Sequence, residues 1–560
     1  MYRYDVQPSE SVSSQRLFPV WSVTRRINYK GINQATPFTE RRPPMAVKTF
    51  AAIDVGSFEL SLKIFEFTGK SQGRVIEHIR QRVDLGTDTY GSGKISHDKM
   101  DELCRVLSQF AQIIESYKVT GYRAYGTSAI RETRNTGIVL DQIHQRTGIK
   151  VEVLSNSEQR FLDYKAVAFR GEIFHSMIEE GTAIVDIGGG SIQISLFDND
   201  TLVSTQNLRI GVLRIQELLH HMNTRSSQRE ELIDEIVSSQ LATYKKLYLK
   251  DREIKTIIVV DDYLSVWVAK KAAAAGRKNG VVNLGDYEQF VQQLRTRPMT
   301  EIVRMLDIPE EAVNLTFISA CIMKRIMKLT GAQQIWAPGV TLSDGMAYEY
   351  AQQNKLLQSE HDFNRDILAC AMNISKRYQG SRKRAETLEN IALTIFDSMK
   401  KVHGMGKRER LYLQLAAMLH DCGKYISMVN IGETSYQIIM ATEMIGLSHM
   451  ERETVASVVR FNHSPFIYFD QIKAMGTALT ENAYLSIAKL TAILRLASAL
   501  DRSHKQKLKG VKATLKEEQL VLMVDTPEDI TLERGIFEDR ADFFQEVFSV
   551  QPVIKQKKPM

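Results

Sequence analysis

The sequence predicts an α/β fold of two similar lobes, followed by an α-helical domain and a small α/β module at the C-terminal end. A strand that ends in an aspartate and a glycine turn occurs twice, in the stretches Asp54-Val55-Gly56-Ser57 and Asp186-Ile187-Gly188-Gly189-Gly190-Ser191. From about Phe363 to about Lys507, strand-like alternation is replaced by amphipathic helix patterns. The length of 560 residues also exceeds the ~100–200 residues that one domain usually contains.

The first 46 residues are predicted to form a disordered basic leader. They are polar, contain Arg25-Arg26 and Arg41-Arg42, and show no sustained periodicity. They also lack the apolar segment of a secretory signal. Met45 directly precedes the first strand-like segment, so Met1 and Met45 are both candidate start residues.

The periodic patterns place the two lobes at 47–180 and 181–355, the helical domain at 356–508, and the C-terminal module and tail at 509–560. Alternating apolar residues predict strands, and 3.6-residue periodicity predicts helices. The strands are expected at 49–55, 60–67, 75–83, 122–126, 151–154, 182–187, 192–197, 513–515 and 520–524. The helices outside the helical domain are expected at 96–117, 136–147, 157–169 and 538–547, and residues 555–560 are expected to be disordered.

Composition restricts the environment and the ligands. The net charge of +7 suits a polyanionic ligand but does not by itself indicate nucleic-acid binding, so we expect no DNA partner. No apolar run predicts a membrane span, so we expect no membrane association. The four cysteines form no CxxC pair, which is typical of reduced thiols in a cytoplasmic protein.

Each aspartate–glycine turn has the composition of a phosphate site. Glycine lets consecutive backbone N–H groups approach an anion, and the aspartate can hold a divalent cation that offsets phosphate charge. Hydroxyl and guanidinium groups at the ends of neighbouring strands suit phosphate oxygens. The predicted phosphate-binding residues are Asp54, Gly56, Ser57, Arg82, Thr127, Ser128, Arg131, Gly188, Gly189, Gly190, Ser191, Arg209 and Gly211. The alternatives are ordinary β-turns and solvated surface arginines.

Together these motifs resemble the exopolyphosphatase/guanosine-pentaphosphatase (Ppx/GppA) family over about residues 47–553. The matching stretches are the two aspartate turns, Arg80-Gln81-Arg82-Val83, Gly126-Thr127-Ser128-Ala129-Ile130-Arg131, Glu152-Val153-Leu154-Ser155-Asn156-Ser157-Glu158, Arg209-Ile210-Gly211 and Ser343-Asp344-Gly345. The resemblance implies the actin/Hsp70/sugar-kinase (ASKHA) fold and a helical domain of the HD type. It further implies hydrolysis of inorganic polyphosphate or guanosine pentaphosphate (pppGpp), Mg²⁺ held by Asp54 and Asp186, and a homodimer.

The chain departs from this family at the two glutamates on which the family's chemistry depends. The motif Ser-Gly-x-Glu-Glu-Ala has Gln159 at its second glutamate, after Glu158, and Gly-Gly-Gly-Ser-Thr-Glu has Gln193. Glutamine can orient water but cannot accept its proton, and loss of a general base typically lowers the rate by ~10²–10⁴-fold. The sequence therefore leaves two hypotheses: a phosphatase with impaired turnover, in which Glu158 or Glu132 replaces the lost base, or an inactive binding regulator.

Two further departures affect substrate contacts. Phe58-Glu59 replaces Asn-Ser after the first aspartate turn. The stretch Ile258-Val259-Val260-Asp261-Asp262-Tyr263 contains no glycine where the family has a glycine-rich turn, which puts a nucleotide or phosphate contact there in doubt.

The helical domain retains part of the ligand set of an HD metal site, namely His420, Asp421 and Asp501. The early histidine position holds Arg384 and another holds Asn462, and a site with few ligands binds metal weakly. The sequence leaves open a weak metal site or a structural polar network, and these losses argue against chemistry in this domain. His463, one residue along, is turned ~100° away on a helix. His403 and His449 are expected on the surface or in loops.

Overall fold

The computed structural model describes residues 47–68, 73–222, 225, 228–260, 264–274, 280–357, 361–474, 479–508 and 510–556. The predicted leader, the start at Met45 and the last four residues of the predicted disordered tail lie outside these residues, as do Asp261, Asp262 and Tyr263.

The first sheet has five strands in the order β3-β2-β1-β4-β5. Strand β1 pairs antiparallel with β2 and parallel with β4, so its backbone is hydrogen-bonded on both edges. The strands are β1 (Lys48–Val55), β2 (Glu59–Phe67), β3 (Arg74–Arg82), β4 (Gly121–Gly126) and β5 (Val151–Val153). The helices are α1 (Leu85–Thr87), α2 (His97–Ser116), α3 (Ser128–Glu132), α4 (Thr136–Thr147), α5 (Asn156–Ala168) and α6 (Glu172–Ile178).

The second sheet has six strands in the order β10-β11-β9-β6-β7-β8. Strand β6 pairs antiparallel with β7 and parallel with β9. The strands are β6 (Thr182–Ile187), β7 (Ile192–Asp198), β8 (Thr201–Leu208), β9 (Thr256–Val260), β10 (Val281–Asn283) and β11 (Gln334–Trp336). The helices are α7 (Val212–His221), α8 (Arg229–Tyr244), α9 (Leu264–Ala274), α10 (Leu284–Thr296), α11 (Met299–Leu306), α12 (Glu310–Thr330) and α13 (Leu342–Gln353).

The two sheets share one plan, which confirms the predicted two-lobed α/β fold. In each, the first strand pairs with the following hairpin strand on one side and with a parallel crossover strand on the other. Asp54 and Asp186 are both the penultimate residue of that first strand. Because the strand ends position the turns, the aspartate–glycine motif that occurs twice in the sequence occupies equivalent positions in the two sheets.

Helix α13 packs on the first sheet, although its residues lie inside the range predicted for the second lobe. Met346 is fully buried in an apolar cluster that includes Phe50 of β1. The ring of Tyr350 stacks on Phe50 with centroids 4.4 Å apart. Lys63 of β2 donates to Asp344 at 2.8 Å. The chain therefore returns to the first sheet before it enters the helical domain.

In the described residues of the helical domain, eight α-helices surround an apolar core, and a short 3-10 helix spans Cys422–Tyr425. The α-helices are α14 (Phe363–Arg377), α15 (Arg382–Ser398), α16 (Lys400–His403), α17 (Lys407–Leu419), α18 (Ile431–Ala441), α19 (His449–His463), α20 (Phe469–Ala474) and α21 (Glu481–Leu500). Among the described helices, α21 alone has the length and apolar composition of a membrane span, and 72% of that stretch is buried within the protein, as in a core helix.

The expectation of a surface or loop position for His403 is wrong, because its ring is fully buried. Its Nε2 donates to the Phe396 carbonyl at 2.9 Å, while Nδ1 accepts from the Met405 backbone N–H at 2.8 Å. These two partners require the neutral ring, and burial lowers the pKa of His403.

The C-terminal module is a three-stranded sheet with one helix. It consists of β12 (Gly510–Lys516), β13 (Gln519–Asp525), α22 (Thr531–Phe548) and β14 (Gln551–Gln556). The helix begins seven residues earlier than the predicted 538, since Phe537 anchors its first half in the core. Lys555 and Gln556, which were expected to be disordered, pair in parallel with β13.

Candidate phosphate-binding cleft

The two aspartate turns line one cavity of about 470 Å³. Both sheets contribute to its wall, so the cavity is a cleft between the lobes. The predicted site residues that line it are Asp54, Gly56, Ser57, Arg82, Thr127, Ser128, Gln159, Asp186, Gly188, Gly189 and Ser191.

The glycines of the second turn are required by close packing. A Cβ atom on Gly211 would lie 2.2 Å from the Gly189 carbonyl oxygen, and one on Gly190 would lie 2.6 Å from the Tyr90 hydroxyl. Gly188 N–H closes the turn by donating to the Ser191 carbonyl at 2.9 Å. Gly190 and Gly211 therefore shape the wall from behind, without lining the cavity.

Three hydroxyl groups meet at the interface of the lobes. Ser57 lies 2.9 Å from Ser128 and 3.0 Å from Tyr90, and Tyr90 donates to Ser128 at 2.9 Å. A hydroxyl can donate or accept, so this cluster can reorient its hydrogens toward an anion. Tyr90 was not singled out from the sequence, because a lone tyrosine after a strand carries no motif.

Two basic residues of β3 line the mouth of the cleft. Arg82 pairs with Glu311 of α12 at 2.9 Å, and its guanidinium lies 5.1 Å from the centroid of the Phe58 ring. Arg80 pairs with Glu59. The departure Phe58-Glu59 therefore contacts both arginines, and the carboxylate of Glu59 offsets the charge of Arg80.

Two predicted phosphate ligands, Arg131 and Arg209, lie outside the cavity wall. Arg131 donates to the Leu154 carbonyl at 2.7 Å, and burial lowers the pKa of its guanidinium. Arg209 is 76% exposed and pairs with Glu132 at 3.2 Å, and Arg214 also pairs with Glu132. Glu132 is thus held by two cations, which opposes a role as a general base.

Glu158, the first candidate for a replacement base, points away from the cleft. It forms a capping box with Ser155, accepting from the Ser155 N–H at 3.0 Å and from the Ser155 hydroxyl at 2.6 Å. It lines a separate cavity on the other side of α5. The capping interaction fixes this orientation, so the predicted catalytic role of Glu158 has no support from its position.

The two glutamines occupy different positions. Gln159 lines the cavity, and its Oε1 lies 3.5 Å from the Arg131 guanidinium. Gln193 is buried in β7, where its amide donates to Thr205 at 2.8 Å and to Ser195 at 3.3 Å. Neither side chain can accept a proton from water.

Arg160 was not among the predicted site residues. It belongs to α5, lines the cleft and is 4% exposed. Its guanidinium forms an ion pair with Asp186 and donates to the Ser191 hydroxyl at 3.2 Å. A second carboxylate, Asp163, lies 3.9 Å away. Burial lowers the pKa of Arg160 to about 10, so its guanidinium remains charged at neutral pH. The sequence does contain a signal, since arginine stands where the family motif ends in alanine.

These side chains do not fit the Mg²⁺ site that the resemblance implies. Magnesium requires oxygen ligands, usually carboxylates with water. The carboxylates expected from the motifs at 159 and 193 are amides, and Asp186 is neutralised by the Arg160 guanidinium. Of the two aspartates predicted to hold the metal, both line the cleft, and Asp186 already pairs with a cation of the protein itself.

The candidate metal site of the helical domain shows the same substitution. Arg384 is 3% exposed, and its guanidinium lies 3.7 Å from Asp501 and 4.0 Å from Asp421. Burial lowers the pKa of His420, whose Nδ1 donates to the Ala417 carbonyl at 2.8 Å. In the part of the chain that the structure describes, the ligand atoms of His420, Asp421 and Asp501 do not converge into a metal-sized cluster.

The polar-network interpretation therefore explains these residues better than a metal site. The guanidinium of Arg384 supplies the positive charge that two buried aspartates require. Among the described residues the Asn462 side chain has no hydrogen-bond partner, so it takes no part in this network, whereas His463 donates to the His420 carbonyl at 2.6 Å. His449 is exposed at the start of α19, as expected.

Comparison with known proteins places the chain among the relatives that its motifs suggest. Residues 66–354 match the Ppx/GppA phosphatase family, and residues 368–537 match its domain III. A guanosine-5'-triphosphate,3'-diphosphate pyrophosphatase of Photobacterium profundum is 21% identical over 448 residues, which are 80% of this chain and 85% of that protein. The protein of the same name from Vibrio vulnificus is 22% identical over 483 residues, 85% of this chain and 92% of that protein.

A solved exopolyphosphatase from Cytophaga hutchinsonii is 20% identical and has a TM-score of 0.48, with coverage of 56% of this chain and 100% of that chain. The family match alone spans more than half of the 560 residues. This chain therefore belongs to the Ppx/GppA phosphatase family.

Proposed function

We propose that the cleft binds the terminal phosphates of a linear phosphoanhydride, inorganic polyphosphate or pppGpp, and hydrolyses it with strongly impaired turnover. The ion pair between Arg160 and Asp186 carries the proposal. The guanidinium offsets the charge of Asp186, so this carboxylate repels an anion less where the glycine turn, Ser191 and Ser57 present donors. Binding thus has support from the chain's own groups, whereas activation of water does not.

The impairment rests on proton transfer. Among the residues that line the cleft, Gln159 cannot act as a base, Asp186 is paired with Arg160, and Glu59 is paired with Arg80. Glu158 and Glu132 are engaged elsewhere. Activation of water would therefore depend on other titratable groups that line the cleft, namely Asp54, His78, Asp163 and Asp307, none of which stands at the family's glutamate positions.

The second candidate function, a binding regulator without turnover, is favoured by a contact between α5 and the helical domain. Ser157 donates to Glu443 at 2.6 Å, and Glu443 lies 3.6 Å from Arg452 of α19. Helix α5 also carries Gln159 and Arg160, so a ligand that moves α5 changes a contact to the helical domain. A ligand bound in the cleft would then shift the helical domain between conformations.

The experiment measures polyphosphate and pppGpp binding by calorimetry with and without Mg²⁺, alongside phosphate release. We expect binding without Mg²⁺ that weakens steeply with salt, and release at least ~10²-fold slower than in a variant with Gln159→Glu and Gln193→Glu. Arg82→Ala, at the mouth, should weaken binding. Its matched control is Arg74→Ala, at the other end of β3, whose side chain is 75% exposed.

Absence of binding to either ligand would contradict the proposal, as would binding that requires Mg²⁺ in the wild type. Binding with no phosphate release, even after prolonged incubation, would select the regulator. If guanosine nucleotides compete for the cleft and polyphosphate does not, pppGpp is the ligand of the two. The name of the curated relatives supports that ligand, while the resemblance supports both.

A further inference from the structure

A second cluster of ligand side chains lies outside the cleft. His175 belongs to α6, Asp200 to the turn between β7 and β8, and His361 to the segment before α14. One ligand atom of each residue lies within 4.8 Å of the other two. His175 Nδ1 is 3.7 Å from Asp200 Oδ1, and the two imidazole rings have centroids 5.2 Å apart.

The imidazole of His361 is oriented by a buried carboxylate. Asp366 is 1% exposed, and its Oδ2 accepts from His361 Nε2 at 2.6 Å and from the Tyr164 hydroxyl at 2.6 Å. The Tyr164 hydroxyl also lies 2.7 Å from Nε2, so Nε2 is the anchored ring nitrogen and Nδ1 is the nitrogen that would bind a metal. A histidine backed by a carboxylate is the usual arrangement of a metal-binding histidine.

Asp200 is held in position by its turn. Asn199 and Asp200 have φ angles of 50° and 56°, and the Asp200 N–H donates to the Ile178 carbonyl at 3.0 Å, at the end of α6. Its Oδ2 pairs with Arg365 at 3.3 Å, whereas its Oδ1 is buried and has no hydrogen-bond partner among the described residues. A buried carboxylate oxygen without a partner lowers stability, and a cation beside it would remove that penalty.

We propose that His175, Asp200 and His361 bind one divalent transition metal, with Zn²⁺ as the ion that two imidazoles and a carboxylate suit best. In a tetrahedral zinc site with bonds of about 2.0–2.1 Å, ligand atoms lie about 3.3 Å apart, so the cluster contracts by at most roughly 1.5 Å. The side chains of His175 and Asp200 are 33% and 36% exposed, so a fourth position for water would lie on their side of the site. The metal would join α6, the β7–β8 hairpin and the start of the helical domain.

The test titrates the full chain with Co²⁺, follows the visible absorption of the bound ion, and displaces it with Zn²⁺. We expect one equivalent to bind, and at least ~10-fold weaker binding in His175→Ala and in Asp200→Asn. Asp366→Asn removes only the orienting carboxylate and should weaken binding by about 10–100-fold. Zn²⁺ should raise the thermal midpoint of the wild type but not that of Asp200→Asn.

Asp200→Asn keeps the experiment decisive, because the turn accommodates asparagine and this variant retains the Tyr164–Asp366 contact. The control variant replaces His220 and His221, two exposed histidines that follow each other at the end of α7, since surface histidines also bind transition metals. Loss of the Co²⁺ spectrum in this control would overturn the proposal. So would unchanged affinity in Asp200→Asn, or no binding by the wild type.

Discussion

Replacement of Arg160 by alanine tests whether a guanidinium has taken the place of the metal in the cleft. Arg160 is 4% exposed and the Asp186 side chain 13% exposed, so the variant leaves a buried carboxylate without its cation. Removal of one partner from a buried ion pair typically destabilises a protein by about 3–5 kcal/mol. We therefore expect the free energy of unfolding to fall by that amount in the absence of divalent ions.

Magnesium should then restore part of the loss, because the Asp186 carboxylate no longer has its guanidinium partner and can bind the ion. A ligand at 100 times its Kd stabilises the native state by about 2.7 kcal/mol. The assay is urea unfolding of wild type and Arg160→Ala with and without saturating MgCl₂. Arg209→Ala, which removes a 76% exposed guanidinium, is the control and should show neither effect. The reasoning is refuted if Mg²⁺ stabilises the wild type as much as the variant, or if Arg160→Ala loses no stability.

Four other outcomes follow from the structure. Gln159→Glu together with Gln193→Glu and Arg160→Ala should raise phosphate release by ~10²–10⁴-fold, measured with long-chain polyphosphate and Mg²⁺; an unchanged rate would contradict the view of the cleft as a weakened active site. Arg384→His should create Mn²⁺ binding in the helical domain, detectable by electron paramagnetic resonance, whereas the wild type should bind none there. Because burial holds the pKa of His403 below 6.5, the folded state binds fewer protons than the unfolded state. Its contribution to stability is complete above pH 6.5 and should fall with pH below that, approaching about 1.4 kcal/mol per pH unit; His403→Gln should flatten this part of the urea-unfolding profile. Gly211→Ala should destabilise the protein by roughly 1–3 kcal/mol, because the new methyl group meets a backbone carbonyl at 2.2 Å, and an unaltered thermal midpoint would exclude that clash.

Most of the strands and helices that local periodicity predicted lie close to their observed bounds, whereas β8 to β11 and α7 to α13 of the second lobe were not predicted individually. The helix expected at 136–147 spans those residues, and the one expected at 157–169 is observed at Asn156–Ala168. The C-terminal helix and β14 were predicted less well. Their apolar residues are spaced irregularly, and β14 depends on pairing with β13, a contact that is not encoded within its own short segment.

The sequence by itself determined the two-lobed fold, the pair of aspartate turns and the loss of two glutamates, because each is encoded in consecutive residues. Only the tertiary structure decided what fills the cleft. Arg160 reads as an ordinary helix residue until α5 packs between the sheets and brings its guanidinium onto Asp186. Similarly, 186 residues separate His175 from His361, and only the packing of α6 beside the start of the helical domain brings them together. A site formed by distant segments depends on the relative placement of whole elements, which local patterns do not specify.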